Sequence, residues 1–274
     1  MTATGTGRRW AFSDIEFYTL WADATGALRL PFPFHFTARS PDPEDFRSDQ
    51  RQARAALAER SDPAFEQVLD ALTTPDIRVE VRGSDRRKAD PDTLPTSVVR
   101  MLGVRRESAG YIVSALPGET YLHSGGFTVT ECTAVQLAGE VVAKLPDMAA
   151  GSRKDMVLPR RARTAAEPAA QPRRSPTVHD SFQATESERG TAFLAEPASC
   201  TGLVRVVQGS SIYGPRGITR FEFEWRDLVG DGRYLVRDSD PPVAVAAGSK
   251  DFTATINAKI AQIVRVIKDE RQGR

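Results

Sequence analysis

Three histidines, two cysteines and a run of carboxylates are the residues of this 274-residue chain whose types can do chemistry. A metal site asks for His, Cys, Asp or Glu at ligand spacing on a local element. His35 stands in PFPFHFT among phenylalanines, His123 follows Tyr121 and Leu122 in a turn, and His179 lies in a proline-rich stretch. None has a second ligand at that spacing, so we read no metal and no cofactor. One half-buried ring and two solvated ones account for the three. Cys132 and Cys200 are distant in sequence, and the start MTATGTGRRWAF lacks the apolar core of a signal peptide. They read as free thiols in a reducing compartment, Cys132 at a strand–helix junction and Cys200 in a polar turn.

Nucleophilic and phosphate chemistry fare no better. No G-x-S-x-G elbow is present, and Gly209, Gly214 and Gly217 of GSSIYGPRG lack the order of a phosphate loop. They read as turn residues. Glu222, Glu224, Asp227 and Asp231 of RFEFEWRDLVGDGRYLVRD are the one dense carboxylate group. Glycosidase-like work needs one acid held in an apolar pocket. Here Glu222 and Glu224 alternate with Phe221, Phe223 and Trp225, so a strand sends the glutamates together to one face. With Arg220, Arg226, Arg233 and Arg237 nearby, that face reads as solvated and salt-bridged. We read no enzyme.

The elements that position these residues follow from periodicity. Ser13 caps a first helix with Glu16 at the capping-box position, Phe12 and Phe17 at the staple, and Gly26 at its end. LRLPFPFHF is extended because of Pro31 and Pro33. PDPEDFRSDQRQARAALAER is a polar helix. Asp62 and Pro63 open another, which buries Phe65, Val68, Leu69 and Leu72. IRVEVRG, VVRMLGVRRE, SAGYIVSAL and GGFTVTEC read as strands. TAVQLAGEVVAKLP is a helix stopped by Pro146.

The stretch 151–184 is rich in Pro, Ala and Arg and reads as a flexible linker between an N-terminal half, 1–150, and a C-terminal half, 185–274. Arg153, Arg160, Arg161, Arg163, Arg173 and Arg174 lack interleaved aromatics, and the formal net charge is +1. No nucleic acid is expected. A short helix resumes in ESERGTAFLAEP. TGLVRVVQGS, the RFEFEWRDL hairpin and VAVAAG are strands, and DFTATINAKIAQIVRVIKDE is a closing helix with Ile256, Ile260, Ile263, Val264 and Ile267 on one face. Strand, hairpin, strand, helix thus occurs twice. The pattern implies an α+β fold: a central antiparallel sheet with helical bundles and a quasi-two-fold repeat. No apolar run reaches membrane-span length, so neither membrane insertion nor any residence but the cytoplasm is expected.

The ordered succession resembles the EspG family of type VII (ESX) secretion systems in mycobacteria and related actinobacteria. A strand, a helix and RLPFPF open the chain. IRVEVRG follows a Pro-stopped helix, and VVAKLP precedes a Gly- and Arg-bearing junction. FEWRDLVGDGRYLV is similar to the family's W-x-D…G-R-Y hairpin. The resemblance implies a non-enzymatic cytosolic chaperone that holds a PE–PPE-type protein heterodimer by the PPE tip. The chain itself is expected to be a monomer or weak dimer. The competing reading is a helix-grip small-molecule carrier, in which a curved sheet wraps a C-terminal helix around a cavity. The two differ in symmetry, since a helix-grip fold has no repeated half.

For a partner surface the sequence offers the long 82–96 loop with Arg82, Arg86 and Arg87, the sheet face at Glu222, Glu224 and Arg226, and the last helix at Asn257 and Lys259.

Overall fold

Ile77, Val79 and Val81 are wholly buried, while on the other parity Arg78 is half-buried, Glu80 buried and Arg82 exposed, all three of them charged. This alternation makes β2 (Ile77–Asp85) a strand with one apolar face. A computed structural model describes residues 7–87, 97–159 and 186–273, and in it β2 lies near the middle of a ten-stranded antiparallel sheet. On one side of β2 stand β3 (Ser97–Arg106), β4 (Ala109–Pro117), β5 (Ser124–Thr133) and β1 (Arg9–Phe12). On the other stand β7 (Ala198–Gln208), β8 (Arg220–Leu228), β9 (Arg233–Arg237), β10 (Val243–Ala246) and β6 (Met156–Val157). The β2–β7 seam joins two meanders of the same plan. Each runs up and down and ends in a helix, α4 (Leu137–Ala143) for the first and α6 (Ser249–Gln272) for the second. The expected repeat is there, and it removes the ground for a helix-grip reading.

Both helices lie on one face of the sheet. Leu137, Val141 and Val142 of α4 and Phe252, Ile256, Ile260 and Ile263 of α6 pack with Ile77, Val79, Val204, Phe223 and Trp225 in one continuous core. The 3.6-residue spacing of the isoleucines is what allows α6 to lie flat on strands whose inward residues recur every second position. Burying such a side chain stabilises by about 1.5–3 kcal/mol, and that is why the polar outer face of α6 does not prevent docking.

The opposite face is covered at its two ends. Over β3, β4 and β5 lie α1 (Asp14–Thr25) and α3 (Pro63–Thr73), with Phe17, Phe65, Val68 and Leu72 against Leu102, Val104, Val113 and Phe127. The capping box of α1 forms: the Ser13 amide donates to Glu16 Oε2 at 2.8 Å, and the Glu16 amide to Ser13 Oγ at 3.3 Å. Helix α2 (Pro43–Glu59) is tied to α1 by the Arg54 fork on Asp23, 2.8 and 2.7 Å. Over β8, β9 and β10 lies α5 (Glu186–Ala195), with Phe193 against Leu228 and Tyr234.

The expected linker starts too early. Gly151 N donates to Arg233 O at 3.0 Å, Ser152 Oγ to Asp231 at 2.8 Å, and Val157 pairs with Val243. Residues 151–159 therefore belong to the C-terminal half of the sheet. The reason is backbone pairing, which a composition count does not see. The rest of that stretch, from 160 to 184, lies outside the described residues, and so does 88–96 of the long loop.

Candidate functional site

Between the two covered ends, the described residues leave a strip of sheet open on β2, β7 and β8. Its floor is built by register. Arg100, Arg82, Leu203 and Glu224 form one cross-strand row. Glu80, Arg205 and Glu222 form the next, and Ser84, Thr201 and Arg226 a third. All of these but Glu80 and Arg205, together with Val98 and Tyr121, line a groove of about 470 Å³. The segment Pro31–Phe36 stands at its edge: Phe32 stacks under the Arg205 guanidinium at 4.4 Å. Burial, then Arg100 and Arg82, push His35 below its ordinary pKa.

The charges of the floor are partly knitted together. Arg205 reaches Glu222 at 3.0 Å and Glu80 at 3.4 Å, and Arg78 reaches Glu80 at 3.4 Å. Glu80 is only 6% exposed, and burial raises its pKa despite the two arginines. Arg226 is a wall anchor: its Nη2 donates to Leu194 O and Glu196 O, both at 3.1 Å. A guanidinium there satisfies carbonyls left over at the C-terminus of α5 and complements its dipole.

Of the expected partner residues, Arg82, Glu222, Glu224 and Arg226 meet in this groove. Arg86 and Arg87 sit at the end of β2, where the Arg86 amide donates to Ser199 O at 2.7 Å. Arg87 forks onto its neighbour Asp85 at 2.9 and 2.7 Å. Asn257 and Lys259 lie on α6, across the sheet from the groove. Lys259 Nζ rests 4.7 Å over the Phe221 ring, and Asn257 lines a second depression between α4 and α6. The expected surface is thus split between two faces.

One expected member of the charged face, Arg233, is elsewhere, together with Asp227. Asp227 shares the parity of Phe223 and Trp225 and faces the helices. Arg233, its register partner, forks onto it at 2.6 and 2.8 Å, and both side chains are 0% exposed. Cys200 is not in a polar turn but inside β7, 1% exposed, and burial raises its pKa to about 12. Cys132 lies in β5, half-buried, raised by burial to about 11. Both are free thiols. Among the described residues no three of His, Cys, Asp and Glu gather where they would hold a metal ion, and no helix is long and apolar enough to cross a membrane.

Sequence reasoning missed Glu80, Arg100 and Arg205. The signal was present. IRVEVRG carries Arg78, Glu80 and Arg82 on one side of what is a central strand, and such a face has no apolar layer over it.

A family model described as the EspG family matches residues 13–257. The chain belongs to the EspG family. Among solved structures it is similar to the Mycobacterium tuberculosis type VII secretion system chaperone EspG5, solved in complex with the PE25–PPE41 dimer. Identity is 12%, the TM-score is 0.54, and the match covers 92% of this chain and 96% of that one. At that identity the likeness shows a shared fold. No curated protein sequence matches this EspG chain.

Proposed function

We propose that this protein is a cytosolic, non-catalytic chaperone of a type VII secretion system. It holds a PE–PPE-type heterodimer by the PPE tip and keeps that apolar end from self-association. Membership of the EspG family over residues 13–257 carries this reading. The open strip of sheet supports it, because a rigid surface bounded by two raised layers suits a protruding partner element. The contact surface is the groove at Arg82, Glu222 and Glu224, with Arg226 holding its wall. Arg86 and Arg87 stand at its far end, and Asn257 and Lys259 would belong to a separate contact on α6.

The test is co-expression with a PE–PPE pair from the same genome. A stoichiometric complex on size exclusion is the expected result. Failure to co-purify with that pair, when the chain itself is folded and monodisperse, would refute the reading.

A further inference from the structure

Arg82 and Arg100 stand directly opposite each other on β2 and β3, on the open face. Like charges at paired positions of an antiparallel sheet oppose one another, since their Cβ atoms are about 4.5–5.5 Å apart. Most sheets separate such a pair or place a carboxylate between them. Here the acids nearby are otherwise engaged. Glu80 is held by Arg78 and Arg205, and Glu119 by Arg39 at 2.9 Å. Among the described residues neither Arg82 nor Arg100 makes an ion pair with a carboxylate.

Arg100 sharpens the point. It is 5% exposed, it lines the groove, and its one described hydrogen bond is from Nη2 to the Tyr121 carbonyl. Its Nε–H is buried with no acceptor. A buried, unpaired donor on a charged group costs more than a neutral one and is rare in native folds. Burial and Arg82 together depress the Arg100 pKa, and burial, then Arg100 and Arg82, depress that of His35. Two guanidiniums therefore face one end of the groove.

We propose that the Arg82–Arg100 end of the groove is a carboxylate pocket, which takes an acidic side chain presented by the protein partner. The proposal rests on the chaperone reading above and adds the chemistry of one contact. A carboxylate accepts two N–H donors from a guanidinium fork, and a desolvated one placed here relieves the repulsion as well. Glu224 lies two strands from Arg82 in the same row, with Leu203 between.

The first experiment needs no partner. Thermal unfolding of the full chain is compared in sodium succinate, sodium phosphate and sodium chloride at equal ionic strength. Succinate is expected to raise Tm by about 3 °C over chloride. Arg82→Gln should lose that rise, yet unfold no earlier than wild type in chloride because a repulsion has been removed. No succinate effect in wild type, or the same effect in Arg82→Gln, overturns the pocket. A larger shift from phosphate than from succinate overturns the carboxylate assignment.

The second experiment uses the PE–PPE pair of the co-expression test. Arg82→Glu should lower its capture about tenfold or more, with Arg82→Lys between it and wild type. Capture by Arg82→Glu equal to wild type overturns the contact but leaves the chaperone reading standing. No capture by wild type removes that reading, and the contact with it, while the succinate arm still decides whether the pocket binds carboxylates.

Discussion

Asp227 and Arg233 face each other across β8 and β9 and lock together with both side chains fully buried, Nε–Oδ1 2.6 Å and Nη2–Oδ2 2.8 Å. The second fork nitrogen also donates to the Pro146 carbonyl at 2.7 Å, and the guanidinium lies 5.5 Å over the Phe252 ring. One ion pair thus ties the hairpin to the end of the first half and to α6. Removing one partner of a buried pair leaves a charge without compensation, at a cost of about 3–5 kcal/mol. Asp227→Ala and Arg233→Met should each lose that much in urea unfolding. The double variant Asp227→Leu with Arg233→Met should lose less than either alone. A loss under about 1 kcal/mol in both single variants would show that the pair is not what holds the hairpin.

Trp225 explains two glycines. Its indole lies flat over the neighbouring strands, and a Cβ on Gly202 would sit 2.0 Å from it, one on Gly83 2.8 Å. Overfilling a packed core costs about 1–3 kcal/mol, more where backbone blocks relief. At Gly202 the Arg82 carbonyl oxygen is also within 2.5 Å of that Cβ. Gly202→Ala should therefore destabilise more than Gly83→Ala in chemical unfolding. Equal and negligible effects would mean that the indole can move aside.

These residues mark where sequence reading succeeds and where it stops. Period-two and period-3.6 patterns located the strands, α1, α3 and α6, because apolar side chains have one face to bury. The capping box at Ser13 and Glu16 was legible because it is local. The repeat was legible because each half carries its own pattern. Arg233 was misplaced because its charge outweighed its pairing with Asp227, which strand parity sets on the side of Trp225. Strand β6 was lost because its pairing partner, β10, is distant in sequence and its own composition is that of a loop. The split of the partner residues over two faces was not legible, since it depends on which side of the sheet α6 docks.

Glu80 gives a prediction with a pH sign. Its pKa in the fold is raised, burial being the largest cause and Arg78 and Arg205 opposing it. An acid whose folded pKa is above its unfolded value disfavours folding when ionised. The penalty is present at neutral pH and fades as pH falls through the folded pKa toward the unfolded value near 4.3. Glu80→Gln should therefore match or exceed wild type in Tm at pH 7, and the difference should shrink as pH falls toward 4. A variant much less stable than wild type at pH 7 would mean that the two arginines outweigh desolvation.

The two faces of the sheet can be told apart by charge reversal. Glu222→Arg with Glu224→Arg changes the groove and leaves the helix-covered face intact. Glu222 is exposed and paired with Arg205, and an exposed pair of this kind is worth about 0–1 kcal/mol. Tm should then fall by a few degrees at most. Capture of the PE–PPE pair should weaken, chiefly through slower association at low salt, and the defect should diminish as salt screens the field. Asn257→Asp with Lys259→Glu alters α6 on the opposite side. Lys259 also loses its place over Phe221, so a small drop in Tm is expected there too. Surface plasmon resonance at two salt concentrations separates the cases. A capture defect confined to the groove variant places the partner on the open strip. A defect confined to the α6 variant moves the partner to the helical face and removes the groove from the contact.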